Sequence, residues 1–327
     1  MSAPSIGVAV VTYNTKQYWP RLKAALEAQT LQAFRLVVID NASAQDERFT
    51  QVDMPAQGEL VQFEANFGFA AANNHAFSRL DADYFICLNP DAFPEPDWLA
   101  RLVAAAEADP LCGAIGSLQV CAHDPTLLDG AGDEYWIGGL AYRALHLRKR
   151  AAPRTAAPFS ACAAAALYRR EAFQAAGGFD SRFFCYCEDV DLGFRLRLLG
   201  WRIRQANDAI VAHVGGGASG GHSDFARYHG TRNRVWTFVK NMPGPLLILA
   251  APLHIGATLF ILIWSLFRGS ARVTWRGVLD GVRGIPVMMH MRRNVQRQRR
   301  ASSLDIARAC VWSPFSVLQR APRRGGD

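Results

Sequence analysis

Short apolar runs alternate with amphipathic segments along roughly the first ninety residues, and this alternation limits the possible folds more than any other feature of the chain. Each run is rich in Val, Ile and Leu and is followed by polar residues, which is typical of a buried strand. The predicted strands are residues 6–12, 36–39, 60–63 and 84–88, separated by predicted helices at residues 19–29 and 70–79. This order predicts an α/β fold with a mostly parallel central sheet flanked by helices.

Polar side chains follow three of these strands at the carboxyl end. They are Asp40, Asn66 and Asp91. Ligands of open parallel sheets bind outside the carboxyl ends of the strands, so we expect the three residues to gather in one crevice. The alternative is that each residue only terminates its strand, as Asp and Asn often do. Three successive occurrences at one edge favour a binding crevice, because turn chemistry has no reason to prefer one edge.

The chain continues with a predicted helix at residues 96–108 and strands at residues 113–120 and 201–213. Residues 122–158 are rich in Gly, Pro and Ala, and we expect them to form loops and a hairpin over the crevice. A glycine-rich run at residues 215–221 is expected either to donate backbone N–H groups to phosphate or to form a lid.

Three carboxylates, Glu188, Asp189 and Asp191, lie where an aromatic segment becomes a predicted helix. Positions i, i+1 and i+3 point in different directions on a helix, so only one or two of these acids can reach Arg195 or Arg197. A remaining carboxylate is then free to face a substrate. The alternative is that all three only complement the helix dipole.

Charge is distributed unevenly along the chain. The net charge is +8, yet the residues from 268 onward contain thirteen arginines, no lysine and three acids, or about +10. The remainder is therefore nearly neutral, which predicts a neutral domain with a cationic appendage. The seven cysteines include no Cys-x-x-Cys pair, and we expect reduced thiols in the cytosol.

An uncharged run of twenty-two residues, 246–267, directly precedes the arginine-rich tail. Its length suffices to span a bilayer. Pro252, His254 and Gly256 weaken a simple spanning helix, so a broken or interfacial hairpin and a buried helix pair stay open as alternatives. The adjacent arginines favour the cytoplasmic face of a membrane over nucleic acid as the partner.

An ordered set of motifs resembles the family 2 glycosyltransferases, and more narrowly the bacterial rhamnosyltransferase-like branch, over about residues 5 to 240. The matching segments are residues 8–14, 38–43, 66–74, 88–91, 177–180, 184–197 and 212–213. The resemblance implies a GT-A fold, a nucleotide-sugar donor, a divalent metal (Mg²⁺ or Mn²⁺) and inversion at the anomeric carbon. It divides the chain into a GT-A domain at 1–240, with a donor half (1–120) and an acceptor half (121–240), and a hydrophobic and basic extension at 241–327.

The same resemblance implies roles for single residues. Those implied for donor binding are Thr12, Tyr13, Asn14, Asp40, Asn66, Gly68, Asn73, Asn89 and Asp91. Asp91 and His213 are implied to approach the metal, with Asn89 at the position of the first acid in the Asp-x-Asp element of the family. Asp189 is implied to be the general base. Glu188 and Asp191 then raise the pKa of Asp189 and orient it, or cap the helix.

The reaction expected from this resemblance is transfer of a sugar, with L-rhamnose from dTDP-rhamnose favoured, to a hydroxyl of a lipid-linked or cell-surface glycan. The expected location is the cytoplasmic side of a bacterial inner membrane, through residues 246–267. The alternatives are transfer of another hexose or galactofuranose from a UDP-sugar, a nucleotidyltransferase, and an inactive membrane-associated scaffold. A nucleotidyltransferase usually carries a basic glycine-rich loop after its first strand, which this sequence lacks.

Overall fold

The computed structural model describes residues 3–150, 157–215 and 223–322. Its strands are β1 Ile6–Thr12, β2 Arg35–Asp40, β3 Gly58–Gln62, β4 Tyr84–Leu88, β5 Ala92–Pro94, β6 Cys112–Cys121, β7 Asp124–Gly130, β8 Asp133–Trp136, β9 Leu140–Arg143, β10 Ala165–Arg169 and β11 Arg202–His213. Its α-helices are α1 Trp19–Glu27, α2 Gly68–Arg79, α3 Trp98–Glu107, α4 Arg170–Ala175, α5 Glu188–Leu198, α6 Asp224–Asn241, α7 Gly244–Phe267, α8 Ala271–Arg283, α9 Ile285–Arg297, α10 Ser303–Ala309 and α11 Pro314–Gln319.

The described strands build a nine-stranded sheet in the order β3-β2-β1-β4-β10-β6-β11-β5, with β7 paired to β6. Strands β1 to β4 are parallel, as the sequence predicts. The other half of the sheet is mixed, because β10 runs antiparallel to both β4 and β6 while β6 and β11 pair in parallel. The predicted α/β fold with a central sheet flanked by helices is confirmed, with most of its parallel pairs in the first half. The predicted crevice lies at the carboxyl ends of β1 to β4.

Side chains of β1 alternate between two hydrophobic cores, one on each face of the sheet. Val8 and Val10 pack with α1 and α3, while Ala9 and Val11 pack with α2 and α5. A parallel strand covered on both faces by helices needs apolar residues at every position. This requirement explains the unbroken apolar run of β1.

A third core lies beneath the hairpin β8–β9, in the region predicted as loops and a hairpin. Tyr135 stacks on Phe159, with ring centroids 4.9 Å apart, and both rings contact Phe194 of α5. The hairpin is therefore fixed to α5, the helix that begins with the three carboxylates.

Helix α7 is one continuous 24-residue helix that contains Pro252. It is long and apolar enough to cross a membrane, with a mean hydropathy of 2.4 over a window that is only 17% buried. A buried stripe of Leu246, Ala250 and His254 faces the protein. The interpretation as a broken hairpin is wrong, because the helix continues through Pro252.

Residues 241–322 do not form a separate appendage, because they pack on the rest of the chain. Gly277 of α8 lies against α6 so closely that an added Cβ would be 2.1 Å from Oγ1 of Thr231. Arg292 of α9 is 9% exposed and donates a hydrogen bond to the carbonyl of Val239 at 3.0 Å. The predicted boundary at residue 240 is therefore not a break in the packing.

Candidate active site

A cavity of about 410 Å³ opens at the carboxyl ends of β1 and β4. Most of its polar lining comes from three parts of the fold. The strand ends contribute Tyr13, Asn41, Asn66, Asn89 and Asp91, the hairpin region contributes Asp133, Tyr142 and Arg143, and the start of α5 contributes Glu188 and Asp189. His213 at the end of β11 and Arg320 after α11 also line the cavity.

Several predicted donor-site residues lie in this cavity, namely Tyr13, Asn66, Gly68, Asn89 and Asp91. The side chains of Asn41 and Asn66 are hydrogen-bonded to each other at 2.9 Å. Gly68 has φ +84° and lies against Phe184, so a side chain there would be strained and would collide with Phe184. Sequence reasoning missed Asn41, although it directly follows the predicted residue Asp40.

Four other predicted donor-site residues are not among those that line the cavity. Asp40 is 1% exposed, and its carboxylate accepts hydrogen bonds from the backbone N–H groups of Ser43 and Phe49. The Thr12 hydroxyl donates to the Ile39 carbonyl, and Asn73 donates to the carbonyl one turn earlier in α2. Asn14 is exposed and accepts a hydrogen bond from the backbone of Ala44.

The segment before α5 has a strained backbone. Phe184, Tyr186 and Cys187 have φ values of 66°, 70° and 64°, in the left-handed region that bulky residues avoid. Asn233 of α6 holds the segment by donating to the carbonyls of Phe183, Cys185 and Tyr186. Such strain persists only where the surroundings fix the backbone, and it concentrates at functional sites.

Three carboxyl groups meet at the base of the cavity. Burial, together with the charge of Asp189, raises the pKa values of Glu188 and Asp133 well above the usual range. Burial also raises the pKa of Asp189, but less strongly, because Asp189 accepts hydrogen bonds from the backbone N–H groups of Ala163 at 3.1 Å and Val190 at 2.8 Å. Adjacent buried carboxyls cannot all ionise together. The two backbone hydrogen bonds favour the ionised form of Asp189.

Asp191 is not among the residues that line the cavity, unlike its predicted neighbours Glu188 and Asp189. Its side chain is fully buried and pairs with Arg195, with Lys240 at 2.9 Å and with Asn241 at 2.7 Å. Lys240 also bonds Asp180 at 2.8 Å. Asp191 thus joins α5 to α6, away from the cavity.

His213 lies between two aspartates. Its Nδ1 atom is 2.7 Å from Oδ2 of Asp129, and its Nε2 atom is 3.3 Å from Oδ1 of Asp91. Burial disfavours the imidazolium, but hydrogen bonds to Asp129 and Asp91 outweigh it and raise the pKa of His213. Asp129 is held ionised despite its burial, because His146, His213 and the guanidinium of Arg143 keep its pKa well below the usual range.

Sequence reasoning missed Asp129, Asp133, Arg143 and Arg320. Asp129 and Asp133 flank Gly-Ala-Gly in a segment taken as loops, so the one available signal was a pair of acids among small residues. Cys162 lies beside them: one ligand atom from each of Asp133, Cys162 and Asp189 falls within 4.8 Å of the other two. The glycine-rich run was predicted at residues 215–221, and all of it after Gly215 lies outside the described residues.

Comparisons with known proteins agree with the family resemblance of the sequence motifs. The family model for glycosyl transferase family 2 matches residues 7–177. The N-acetylglucosaminyl-diphospho-decaprenol L-rhamnosyltransferase of Mycobacterium tuberculosis is 30% identical over 233 residues, which cover 63% of this chain and 75% of the relative. The O-antigen chain rhamnosyltransferase RfbN of Salmonella typhimurium is 25% identical over 212 residues, which cover 64% of this chain and 66% of the relative.

Solved structures with GT-A glycosyltransferase folds resemble this one. The mannosyltransferase PcManGT from Pyrobaculum calidifontis, in complex with GDP-Man and Mn²⁺, has a TM-score of 0.53 and 18% identity, covering 91% of this chain and 86% of its own. GalNAc-T7 with UDP, GalNAc and Mn²⁺ has a TM-score of 0.54 and 15% identity, and the match covers 64% of this chain and 43% of GalNAc-T7. At these identities the likeness establishes the fold.

Proposed function

Because the chain belongs to glycosyl transferase family 2 and is a glycosyltransferase, we propose that it transfers L-rhamnose from dTDP-rhamnose to a polyprenyl diphosphate-linked glycan. The reaction inverts the anomeric carbon, and Asp189 acts as general base. The acceptor hydroxyl attacks the anomeric carbon while Asp189 takes its proton, and the bond to the nucleoside diphosphate breaks.

The observation that carries this proposal is the unequal environment of the three carboxyls. Burial raises the pKa values of all three groups, but Asp189 accepts hydrogen bonds from the backbone N–H groups of Ala163 and Val190, and these bonds and the charge of Arg143 favour its ionised form. A cavity-lining carboxylate that is stabilised in this way is suited to accept a proton.

The donor side of the cavity suits a nucleotide sugar with a divalent metal. Nδ1 of His213 lies 2.7 Å from Oδ2 of Asp129, and the buried Nε2 lies 3.3 Å from Oδ1 of Asp91. In its neutral form, with Nδ1 donating to Asp129, His213 would present Nε2 to a metal beside Asp91. A histidine fixed by a carboxylate in this way is a usual metal ligand. Asp91 and His213 would hold the metal, which when bound neutralises charge on the leaving diphosphate.

Asp133, Cys162 and Asp189 are a less suitable metal site. The positive charge there already comes from Arg143, which donates to the Cys162 sulfur at 3.5 Å. Burial raises the pKa of the Cys162 thiol to about 12, so a thiolate ligand is disfavoured. Mg²⁺ and Mn²⁺ also prefer oxygen over sulfur.

The sugar and the acceptor are proposed from the relatives. Both rhamnosyltransferases named above act in rhamnose transfer by their names, and the mycobacterial one by its name uses a lipid diphosphate acceptor. The proposed base Asp189 and the proposed metal ligands Asp91 and His213 line the same cavity, which supports transfer between two such substrates.

We place the enzyme on the cytoplasmic face of a bacterial inner membrane through α7. His254 stacks on Phe238, with ring centroids 4.1 Å apart, and its Nδ1 atom lies 3.1 Å from the carbonyl oxygen of Gly138. These contacts fix the first half of α7 to the domain. Side chains on its outer face are exposed, among them Leu259, Phe260, Ile263 and Trp264. A helix with one face on protein and the other apolar and exposed favours lying in the membrane interface.

A panel of nucleotide sugars, assayed with detergent-solubilised full-length protein, tests the proposal. The expected result is release of dTDP from dTDP-rhamnose and rhamnosylation of a GlcNAc-diphospho-polyprenol acceptor. Release of UDP from a UDP-sugar alone would replace the donor assignment. Release of pyrophosphate would indicate a nucleotidyltransferase, and no release from any donor would indicate an inactive scaffold.

A further inference from the structure

The last described segment of the chain returns to the cavity from beyond the matched family region. Residues 310–322, called here the C-terminal tail, are bonded to the hairpin β8–β9 and the turn after it. Val311 donates from its backbone to the Tyr135 carbonyl at 2.8 Å, and the Tyr142 hydroxyl donates to Ala321 at 2.7 Å. The tail is therefore fixed along the wall of the cavity that contains Asp133.

Arg320 is the tail residue that lines the cavity. Its backbone has φ 52°, and its carbonyl accepts a hydrogen bond from the N–H of Leu145 at 2.8 Å. Among residues 3–150, 157–215 and 223–322, no carboxylate lies within 4.0 Å of its guanidinium. Arg143, by contrast, is paired with Asp129. The cavity thus contains one neutralised guanidinium and one that lacks an ion-pair partner among these residues.

The C-terminal tail also carries apolar side chains that are exposed. The exposed fractions are 51% for Trp312, 68% for Phe315 and 81% for Leu318. In sequence, Arg323 and Arg324 follow directly. Aromatic and aliphatic side chains next to arginines are the composition that binds an anionic bilayer surface.

We propose that the C-terminal tail forms the subsite for the lipid part of the acceptor. Arg320 binds a phosphate of a polyprenyl diphosphate-linked acceptor, while Trp312, Phe315 and Leu318 enter the bilayer that holds the polyprenyl chain. This inference rests on the proposed function and assigns its acceptor site.

The position of Arg320 favours the phosphate of the acceptor over that of the donor. The tail that carries Arg320 is bonded to the hairpin that begins with Asp133, and a carboxylate oxygen of Asp133 lies within 4.8 Å of one of Asp189, the proposed base. The acceptor hydroxyl must lie at that base. The donor diphosphate has its own cationic partner on the side of Asp91 and His213, where a metal would neutralise it.

A guanidinium is suited to this task because it stays charged and donates two parallel hydrogen bonds to phosphate oxygens. Anchoring the arginine on a bonded tail also reduces the entropy lost on binding. The same short segment would then place the cavity entrance at the membrane surface, where the acceptor phosphate lies.

The first experiment compares two soluble acceptors with the wild type and Arg320→Gln, in the full chain. One acceptor is a short-chain lipid diphosphate glycan, and the other is the matching alkyl glycoside without phosphate. We expect Arg320→Gln to raise KM for the diphosphate acceptor about 10- to 100-fold, the scale of a charged hydrogen bond, and to leave the alkyl glycoside and the donor unaffected. Arg320→Lys should recover part of the loss.

Arg276→Gln is the matched control, because its side chain is 75% exposed on α8 and it removes the same charge. Equal KM changes for both acceptors, or no change, would overturn the inference. A rise in the donor KM instead would assign Arg320 to the donor diphosphate and also overturn it. If the wild type uses no diphosphate acceptor, the proposed function is refuted. If the wild type is active and Arg320→Gln behaves in the same way, only the inference about Arg320 is refuted.

The second experiment tests the apolar side with Trp312→Ser, Phe315→Ser and Leu318→Ser combined. These side chains are exposed, so the melting temperature should stay constant. Turnover of a long-chain acceptor in vesicles containing anionic lipid should fall at least about tenfold, while turnover of the short-chain soluble acceptor should not change. Val52→Ser, at a site that is 91% exposed, is the control. Equal turnover of the vesicle acceptor by triple variant and wild type would contradict insertion of the tail.

Discussion

Oδ2 of Asp189 accepts a hydrogen bond at 3.1 Å from the backbone N–H of Ala163, twenty-six residues earlier in the chain. The loop before β10 therefore orients the first turn of α5. Because the partner is a backbone group, the hydrogen bond can persist when the carboxylate is replaced by an amide. This relationship makes Asp189→Asn a clean test of the proposed base.

Asp189→Asn should reduce kcat about 10²- to 10⁴-fold, because the amide keeps the shape and the bond to Ala163 but cannot take a proton. Nucleotide-sugar affinity and the melting temperature should be retained. Steady-state turnover with a calorimetric measurement of donor binding checks this. Asp81→Asn, at a side chain that is 94% exposed, is the control and should match the wild type. Normal turnover of Asp189→Asn would remove this residue from the mechanism.

The pH profile should reflect the raised pKa of Asp189. The base must be ionised to act, so kcat/KM should fall as the pH drops through this pKa. The acid limb should therefore lie above the ordinary aspartate value of about 3.9. Measuring kcat/KM between about pH 4 and pH 9 tests this prediction. An acid limb at or below the ordinary aspartate value would contradict it.

Glu188, which belongs to the same cluster of carboxyls as Asp189, provides a stability test of its own raised pKa. Its pKa is raised in the folded state, so its contribution to stability is full below the unfolded pKa and is lost as pH rises through the folded pKa. Glu188→Gln should therefore melt at a higher temperature than the wild type in alkaline buffer, with the difference shrinking toward acid pH. Thermal unfolding at several pH values measures this. A lower melting temperature at every pH would show that the Glu188 carboxylate is stabilised in the fold.

Removal of the metal should abolish sugar transfer, and Mg²⁺ or Mn²⁺ should restore it. Asp91→Asn should lower transfer at least about a hundredfold, and Asp129→Asn should weaken apparent metal affinity about 10- to 100-fold. Excess metal should rescue Asp129→Asn more fully than Asp91→Asn, since Asp129 only orients His213. Titration of activity with metal after EDTA treatment separates the two. Full wild-type activity in EDTA would refute the metal-dependent reaction.

Lys240→Met should destabilise the fold by about 3–5 kcal/mol, because it leaves the buried carboxylates of Asp180 and Asp191 without their shared cation. Chemical denaturation measures this loss. Arg101→Met breaks an exposed pair with Asp97 and should cost much less stability, because solvent screens that pair. If both variants cost the same, the buried network does not hold α5 to α6.

The sequence by itself predicted the first half of the sheet and the edge where the site lies. Long apolar runs have few alternatives to buried strands, and polar residues at successive strand ends meet at one edge in any parallel sheet. Asn66 and Asp91 were therefore found from local pattern, whereas Tyr13 was implied by the family resemblance. The acidic start of α5 was found in the same way, since three carboxylates in four residues are visible without a structure.

Only the tertiary structure showed which of those acids reach the cavity. Asp189 and Asp191 are two residues apart, yet one faces the cavity and the other is neutralised by Lys240, forty-nine residues later. The partners that keep Asp129 ionised, and the tail that brings Arg320 to the cavity, likewise come from distant segments. Periodicity determines which residues are buried. The partner that neutralises a buried charge depends on how separate elements pack, and no local pattern encodes that choice.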